Sequence, residues 1–341
     1  MILTYVVKHD RDFASELAKA RQVAEYGIKH RVISSKHVKH LGLKSAISNQ
    51  VLKKYAKNRK CKFIKSVNLA LPSQSIMVDQ ERQTIRIPCL KFEFQYMFPS
   101  EFTKVNQIEI SKDKIFVSVT VSELDEYDPS CFIGVDRNAT GHCVVVANES
   151  TGKVLKLGKK AKHIHEKYKN MRRQLQKKEK FGKLKKIKHR ESNIVKDLNH
   201  KMSRKIVDFA KENQAGIVLE DLKGIRKNKK HRKSFNHILN SWSFCQVEQM
   251  IEYKAKLQGV QVFKIDPRYT SQQCSRCGLL GKRKAKRFEC TCGNIEDADV
   301  NAAFCIALRH KGVLQLPVER DTGKGSTDTP KDAMVIECHQ H

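Results

Sequence analysis

The chain has 341 residues, 40% of them hydrophobic, and a formal net charge of +31. The apolar content supports real cores and excludes a chain disordered throughout, and the length leaves room for two or three domains. The charge excludes a protein that works without a polyanion, and nucleic acid is the first candidate.

The first residues, MILTYVVKHD, lack the basic n-region and long h-region of a signal peptide. No apolar stretch approaches the length of a membrane span. A cytoplasmic, nucleoid-associated protein is expected, neither secreted nor held in a membrane. Eleven cysteines in such a chain point to a reducing compartment, where metal binding outranks disulfides.

Ile2–Val7 reads as a strand. Asp10–His30 has helical spacing, with Phe13, Leu17, Ala20 and Val23 on one face and Asp10 placed to cap the start. A second helix is expected over Lys44–Lys57, running into the basic block Lys53–Lys65, which nets +7. The pair reads equally as a helix-turn-helix and as an ordinary helical hairpin. From Lys62 to Glu123 short alternating strands take over, including a hairpin turning at Asp79–Arg82 and the runs LKFEFQYMF and KIFVSVTVS. These suit a small β-barrel or sandwich with the helices inserted after its first strand. Asp125–Ser130 is an acidic, proline-containing boundary.

Cys131 opens a new pattern. FIGVD, HCVVVAN and KVLKL read as three successive strands. A long helical region follows, with Ile164, Tyr168, Met171 and Leu175 on one stripe. Leu184, Ile187, Ile194, Leu198, Met202, Ile206 and Phe209 continue it with drift, and Gly182 marks a break between two antiparallel helices. The block Lys156–Arg190 within it nets +14. Its exposed faces suit a phosphate backbone, with Lys159, Lys160, Arg172, Arg173, Lys177, Lys178, Lys185, Lys186 and Arg190 as candidate contacts. GIVLE is a strand, the block Lys223–Lys233 nets +7 and adds Arg226, Lys229 and Lys230 as contacts, Ser241–Leu257 is a helix, and VQVFKID is a strand. With a last helix after it, the order β-β-β-α-β-α-β-α is that of the ribonuclease H-like fold.

Three acids stand at telling places. Asp136 and Glu220 end apolar strands, and Asp299 opens the last helix. A buried strand ending in a lone acid is costly unless that acid has a partner or a metal. Carboxylates gathered from distant strands suit Mg²⁺ against a phosphodiester, where a pair of ions steadies both the attacking and the leaving oxygen. Asp221 follows Glu220 on a strand and so points to the other face. Asp297 is placed to cap the last helix. The fourteen histidines fall mostly in basic runs, none at a ligand spacing with the acids.

Cys274 and Cys277, then Cys290 and Cys292, flank a basic loop in which Lys282–Arg287 nets +5. Two thiolate pairs suit tetrahedral, structural Zn²⁺. The second pair is one residue short of the usual spacing. On an extended chain its two sulfurs still point the same way.

Several of these stretches resemble a known family. GVDRN at Asp136, HKMSRKIVDFA at His200–Ala210, IVLEDLKGIR at Glu220, IEYKAKLQGVQVFKIDPRYTSQQCSRCG at Ile251–Gly278, then FECTCG and DADVNAA make the second half resemble TnpB. TnpB is the transposon-encoded RNA-guided endonuclease with a RuvC-type domain and zinc ribbon, related to compact type V CRISPR effectors. The resemblance covers about Cys131–Arg309, and the first 125 residues match in outline only. It implies an α/β multidomain fold. Residues 1–125 would be a wedge-like β-barrel with a helical insert at about 10–60. Residues 126–273 would be the RuvC-like nuclease domain, its basic helical pair at 158–213. Residues 274–293 would be the zinc ribbon, 294–311 the final helix and 312–341 a disordered tail. Asp136, Glu220 and Asp299 would hold two Mg²⁺ ions and direct water at the scissile phosphate. Guide RNA from the transposon end and target DNA would be the partners, with a monomer favoured. The competing readings are an RNA-guided DNA-binding repressor that no longer cuts, and an unguided RuvC-type nuclease or transposase.

Overall fold

The structure is a computed structural model that describes residues 1–58, 61, 63–138, 141–222 and 244–317. It divides into two compact units, Met1–Glu126 with Lys256–Gly259, and Tyr127–Ala255 with Val260–His341.

The first unit begins with strand β1 (Ile2–Lys8) and helix α1 (Ala14–His30). A 3-10 turn, Ser35–Leu41, and helix α2 (Ser45–Tyr55) follow. The N-cap position of α1 is Phe13, with no side-chain cap, so Asp10 does not cap the helix as expected; just before it the Ala14 N–H donates to Asp12 Oδ1 at 2.9 Å. Gly27 lets α1 and α2 touch: a Cβ there would lie 2.4 Å from Leu52 Cδ2. The helical pair therefore buries Ala20, Val23, Ala24, Ile47, Val51 and Leu52 in the core of this unit.

Strands β2 (Leu69–Pro72), β3 (Met77–Asp79), β4 (Thr84–Ile87), β5 (Phe92–Gln95), β6 (Lys104–Ile110) and β7 (Lys114–Thr120) complete it. Hydrogen bonds join the strands expected to form a barrel or sandwich into two antiparallel sheets, β1-β7-β6-β2 and β3-β4-β5. The hairpin turns where the sequence expects, and Asp79 Oδ1 accepts the Arg82 N–H at 3.0 Å. Leu69, Leu71, Ile85, Ile87, Ile108, Ile110 and Ile115 line one core with the helices. Their alternation along short strands follows from the two-residue period of the pleat.

The second unit is built on a five-stranded sheet. Its strands are β8 (Cys131–Arg137), β9 (Val144–Asn148), β10 (Val154–Leu157), β11 (Ala215–Glu220) and β12 (Val262–Ile265), in the order β10-β9-β8-β11-β12. β8, β11 and β12 run parallel, β9 pairs antiparallel with β8, and β10 pairs antiparallel with β9. Helices α3 (Lys160–Lys177) and α4 (Phe181–Glu212) form the basic hairpin. The break falls at Lys178–Lys180, not at Gly182, which lies in the first turn of α4. The chain reverses where Glu179 takes φ 52°, so a non-glycine residue supplies the left-handed turn. Val195 is buried where Ile194 was expected, because the stripe drifts as α4 lengthens.

One face of the sheet packs on α4 and on α5 (Phe244–Leu257), through Ile206, Val207, Ala210, Val247, Ile251 and Ala255. Buried Lys254 of α5 pins α4, donating to the His200 carbonyl at 2.5 Å and to Ser203 Oγ at 2.7 Å. Two of the stretches that carry the family resemblance thus meet through one side chain. The other face packs on helix α6 (Ala298–His310), where Val145 and Ala147 of β9 meet Val300 and Ala303. Between β12 and α6 lies a small sheet of β13 (Lys282–Lys284), β14 (Arg287–Glu289) and β15 (Ile295–Asp297). Where the tail was expected, Leu314 is buried and the Gln315 carbonyl accepts from Gln273 Nε2 at 2.8 Å. Residues 318–341 of that tail lie outside the described residues. No helix among the described residues is long and apolar enough to cross a membrane.

Candidate active site

Alternation along the parallel strands decides where the acids point. Cys131, Ile133 and Val135 of β8, and Ala215, Ile217 and Leu219 of β11, face the α4–α5 side. The residues between them face α6. Gly134 shows how closely: a Cβ there would lie 1.9 Å from the Ala303 carbonyl oxygen. Val135 pairs with Leu219, so the next residues, Asp136 and Glu220, come side by side at the carboxyl ends of adjacent strands. Both are buried, at 7% and 6% exposure.

Two carboxyls so placed cannot both ionise freely. Burial, then the Glu220 charge, pushes the Asp136 carboxyl up to about 8, against the pull of the Asn138 amide that donates to its Oδ2 at 2.8 Å. Burial likewise raises Glu220, although the Thr270 hydroxyl donates to its Oε1 at 2.6 Å and the Arg137 charge favours the anion. Arg137 also donates to the Glu220 carbonyl and pairs with Glu248 at 2.5 Å.

Asp299 enters from the first turn of α6 and is 2% exposed. It adds to the field that raises Asp136. Its Oδ1 accepts from Arg283 Nη2 at 2.9 Å and its Oδ2 from Lys286 Nζ, both donors coming from the basic loop between the cysteine pairs. Asp297 caps α6 as expected, accepting from the Asp299 N–H at 3.0 Å and the Val300 N–H at 3.4 Å, and it pairs with Lys156 at 2.7 Å. The Asp221 N–H continues the ladder to the Ile265 carbonyl at 2.8 Å.

The four cysteines converge. The Sγ atoms of Cys274, Cys277, Cys290 and Cys292 all lie within 4.8 Å of one another, the one such metal-ligand group among the described residues. Cys274 and Cys292 stand 3.7 Å apart, and Cys277 and Cys290 3.5 Å apart. That is too long for a disulfide. It matches the edge of a tetrahedron of thiolates, about 3.8 Å for Zn–S bonds of about 2.3 Å. Burial opposes ionisation of Cys274, but the N–H groups of Cys277 and Arg276 and the Asn294 amide outweigh it and lower its thiol to about 7. The short Cys290–Cys292 spacing is accommodated at a turn closed by the Gly293 N–H on the Cys290 carbonyl at 3.0 Å. Cys305 stays outside the group, buried on α6 with its thiol toward the Gln273 carbonyl.

Polar residues with no expected role tie this centre to α6. Asn301 of α6 accepts the Ser275 N–H at 3.0 Å and donates to the Gln273 carbonyl at 2.7 Å. Gln273 accepts from Arg309 Nε at 2.7 Å and donates to the Gly278 carbonyl at 3.0 Å. Thr270, Gln273 and Asn301 all lie in the run from DPRYTSQQCSRCG to DVNAA, and that position was their only signal.

A family profile described as Cas12f1-like, TNB domain matches residues 244–306, which span α5, β12, the cysteine centre and most of α6. The chain is 30% identical over 256 residues to a TnpB-like protein of Methanocaldococcus jannaschii, a match that covers 70% of this chain and 91% of that protein. The chain belongs to the TnpB-like family. This TnpB-like chain is also 42% identical over 122 residues to the CRISPR-associated endodeoxyribonuclease Cas12f1 of Sulfoacidibacillus thermotolerans, covering 34% of this chain and 28% of that one. It aligns with a Cas12f1 solved by cryo-EM with sgRNA and target DNA at 21% identity and a TM-score of 0.45, over 90% of this chain and 99% of the other.

On the TnpB-like hairpin, Lys159, Lys160, Arg173, Lys177, Lys178, Lys185, Lys186 and Arg190 are exposed. Arg172 is not free for phosphate: it pairs with Glu191, which also takes His165 Nδ1 at 3.0 Å. Arg226, Lys229 and Lys230 lie outside the described residues.

Proposed function

We propose that this TnpB-like protein is an RNA-guided DNA endonuclease with a RuvC-type active site. The observation that carries it is the burial of Asp136 and Glu220 side by side, with Asp299 beside them, in a place where only protons or cations relieve their repulsion. The names of the relatives, endodeoxyribonuclease among them, support the reaction class. Sheet order β10-β9-β8-β11-β12 supports a ribonuclease H-like core.

Asp136, Glu220 and Asp299 are hard oxygen donors and fit Mg²⁺. Bound there, a pair of Mg²⁺ ions supplies Lewis acidity and an activated water for hydrolysis of the phosphodiester. Thr270 and Asn138 hold Glu220 and Asp136 in place. Arg283 and Lys286 pair with Asp299 and so compete with a metal ion for it. The cysteine centre fits Zn²⁺ in a structural role, a ribbon that fixes the loop from which those cations come. Guide RNA supplies sequence specificity by base pairing with one strand of target DNA. The exposed faces of α3 and α4 neutralise phosphates.

The test is cleavage of a plasmid carrying a guide-matched target, with protein purified together with its RNA. Magnesium-dependent nicking or cutting that is lost in Asp136→Ala supports the proposal. Guided binding without cleavage by the parent makes it a repressor, and joined strands make it a transposase.

A further inference from the structure

We infer that the groove at the tip of the α3–α4 hairpin seats an unpaired nucleobase, so that the hairpin grips single-stranded nucleic acid and is not only a rail for phosphates. This rests on the nucleic-acid reading proposed above and says which form of nucleic acid the hairpin takes.

The groove measures about 470 Å³. Ligand clefts fall at about 300–1,000 Å³. Buried Ile187 of α4 and half-buried Leu175 of α3, with the more exposed Met171, make its apolar floor; Gln174 also lines it, and the exposed Lys178, Lys180, Lys183, Lys186 and Arg190 form its rim. Among the described residues, no carboxylate lines it. The surrounding segment, Met171–Arg190, holds ten Lys/Arg and one Glu.

The two parts of this lining point to one ligand class. A rail for duplex phosphates needs cations alone, because stacked base pairs hide their faces. Here apolar surface is left at the centre of the cations: Met171 is 36% exposed, and Leu175 is half-buried. A polyanion with an exposed flat apolar face satisfies floor and rim together, and that describes an unstacked nucleotide. Apolar side chains also seat bases in enzymes that flip them out of a duplex. The planar guanidinium of Arg190 at the rim adds a surface on which a base can stack. Lys178 and Lys180 stand on either side of Glu179 in the turn that joins the two helices.

The experiment measures binding of the full chain, without added magnesium, to labelled single-stranded RNA, single-stranded DNA and duplex DNA over a salt series. In a floor variant, Met171→Gln with Leu175→Gln, single-strand affinity is expected to fall about tenfold while duplex affinity and the salt slope stay as in the parent. Whichever single strand loses more identifies the RNA or the DNA as the occupant. In a rim variant, Lys180→Gln with Lys183→Gln, the salt slope on single strands is expected to drop by about 1.4, two phosphate contacts at about 0.7 each. Equal loss on single strand and duplex in the floor variant, or no loss at all, overturns the inference and leaves a phosphate rail. A parent that binds none of the three probes overturns the nucleic-acid reading itself, a separate outcome. Should the floor variant fail to fold, photocrosslinking of thio-substituted RNA and DNA to the parent decides. Crosslinks within residues 171–190 support the base seat, and crosslinks confined elsewhere overturn it.

Discussion

At the cysteine centre the ligand atoms already stand in pairs 3.5 and 3.7 Å apart, the spacing a tetrahedral ion requires. At the acid centre Asp136 and Glu220 repel each other, and Asp299 is held by Arg283 and Lys286. The first centre would be closed when loaded: four cysteine ligands on one tetrahedral ion leave no position for a substrate. The second is left in electrostatic debt, with neighbours that yield to a cation. On the function proposed here, the centre that maintains shape has its ligands preset, and the centre that does chemistry keeps its ligands under tension. The same loop serves both, since Arg283 and Lys286 lie between the cysteine pairs.

The largest test of that contrast is Asp136→Asn. Cleavage is expected to fall by more than about 10³-fold, as when one member of a set that acts as a unit is removed. Removing the repulsion should leave the melting temperature of the metal-free protein unchanged or raised, which calorimetry reads directly. A large drop in melting temperature would mean that Asp136 is structural.

The cysteine centre should respond in the opposite way. Cys292→Ser is expected to reduce bound zinc from one equivalent to none by elemental analysis and to lower Tm by roughly 10 °C. Cleavage is lost with it, because the loop that positions Arg283 unfolds. Full zinc content in the variant would remove Cys292 from the ligand set.

Gly134→Ala probes the seam that brings Asp299 to the sheet. The added methyl collides with the Ala303 carbonyl. A cost of about 1–3 kcal/mol is expected, near 5 °C in Tm. An unchanged Tm would show that α6 stands off from β8.

The smallest effect is a pH dependence. Asp136 is raised to about 8, and Glu220 is also raised. The folded protein therefore holds protons that the unfolded chain, with ordinary carboxyls, has already released. Stability from this pair is present below about pH 4 and lost as pH rises toward 8. On the proposed function magnesium replaces those protons, so its stabilising effect should grow with pH, from near zero at about pH 5 to roughly 3 °C at about pH 8. Asp136→Asn should flatten the trend, and an equal gain at both pH values would separate magnesium binding from these acids.

Much of this second unit was legible in the sequence because its signals are local. Apolar runs gave β8, β9 and β11, and an acid two residues before another gave Asp297 as the cap. What escaped depended on distant partners. Nothing local shows that Arg172 is spent on Glu191, or that Arg283 and Lys286, in a loop that reads as free positive charge, close on Asp299. The break at Gly182 was misplaced because glycine is the residue usually associated with a left-handed turn, yet Glu179 takes that conformation. Thr270 and Gln273 look like ordinary loop polars until the fold sets them against Glu220 and Arg309. In the first unit, alternation gave the strands, but which strands share a sheet is set by pairings that span most of that unit.

The position of α6 has a consequence for the order of synthesis. Strands β8 and β11 and the basic hairpin leave the ribosome well before Ala298. A product that stops short of α6 keeps its exposed cations and its first two acids and lacks the third. On the function proposed here, such a fragment holds nucleic acid without cutting it and competes with the finished protein for the same strands.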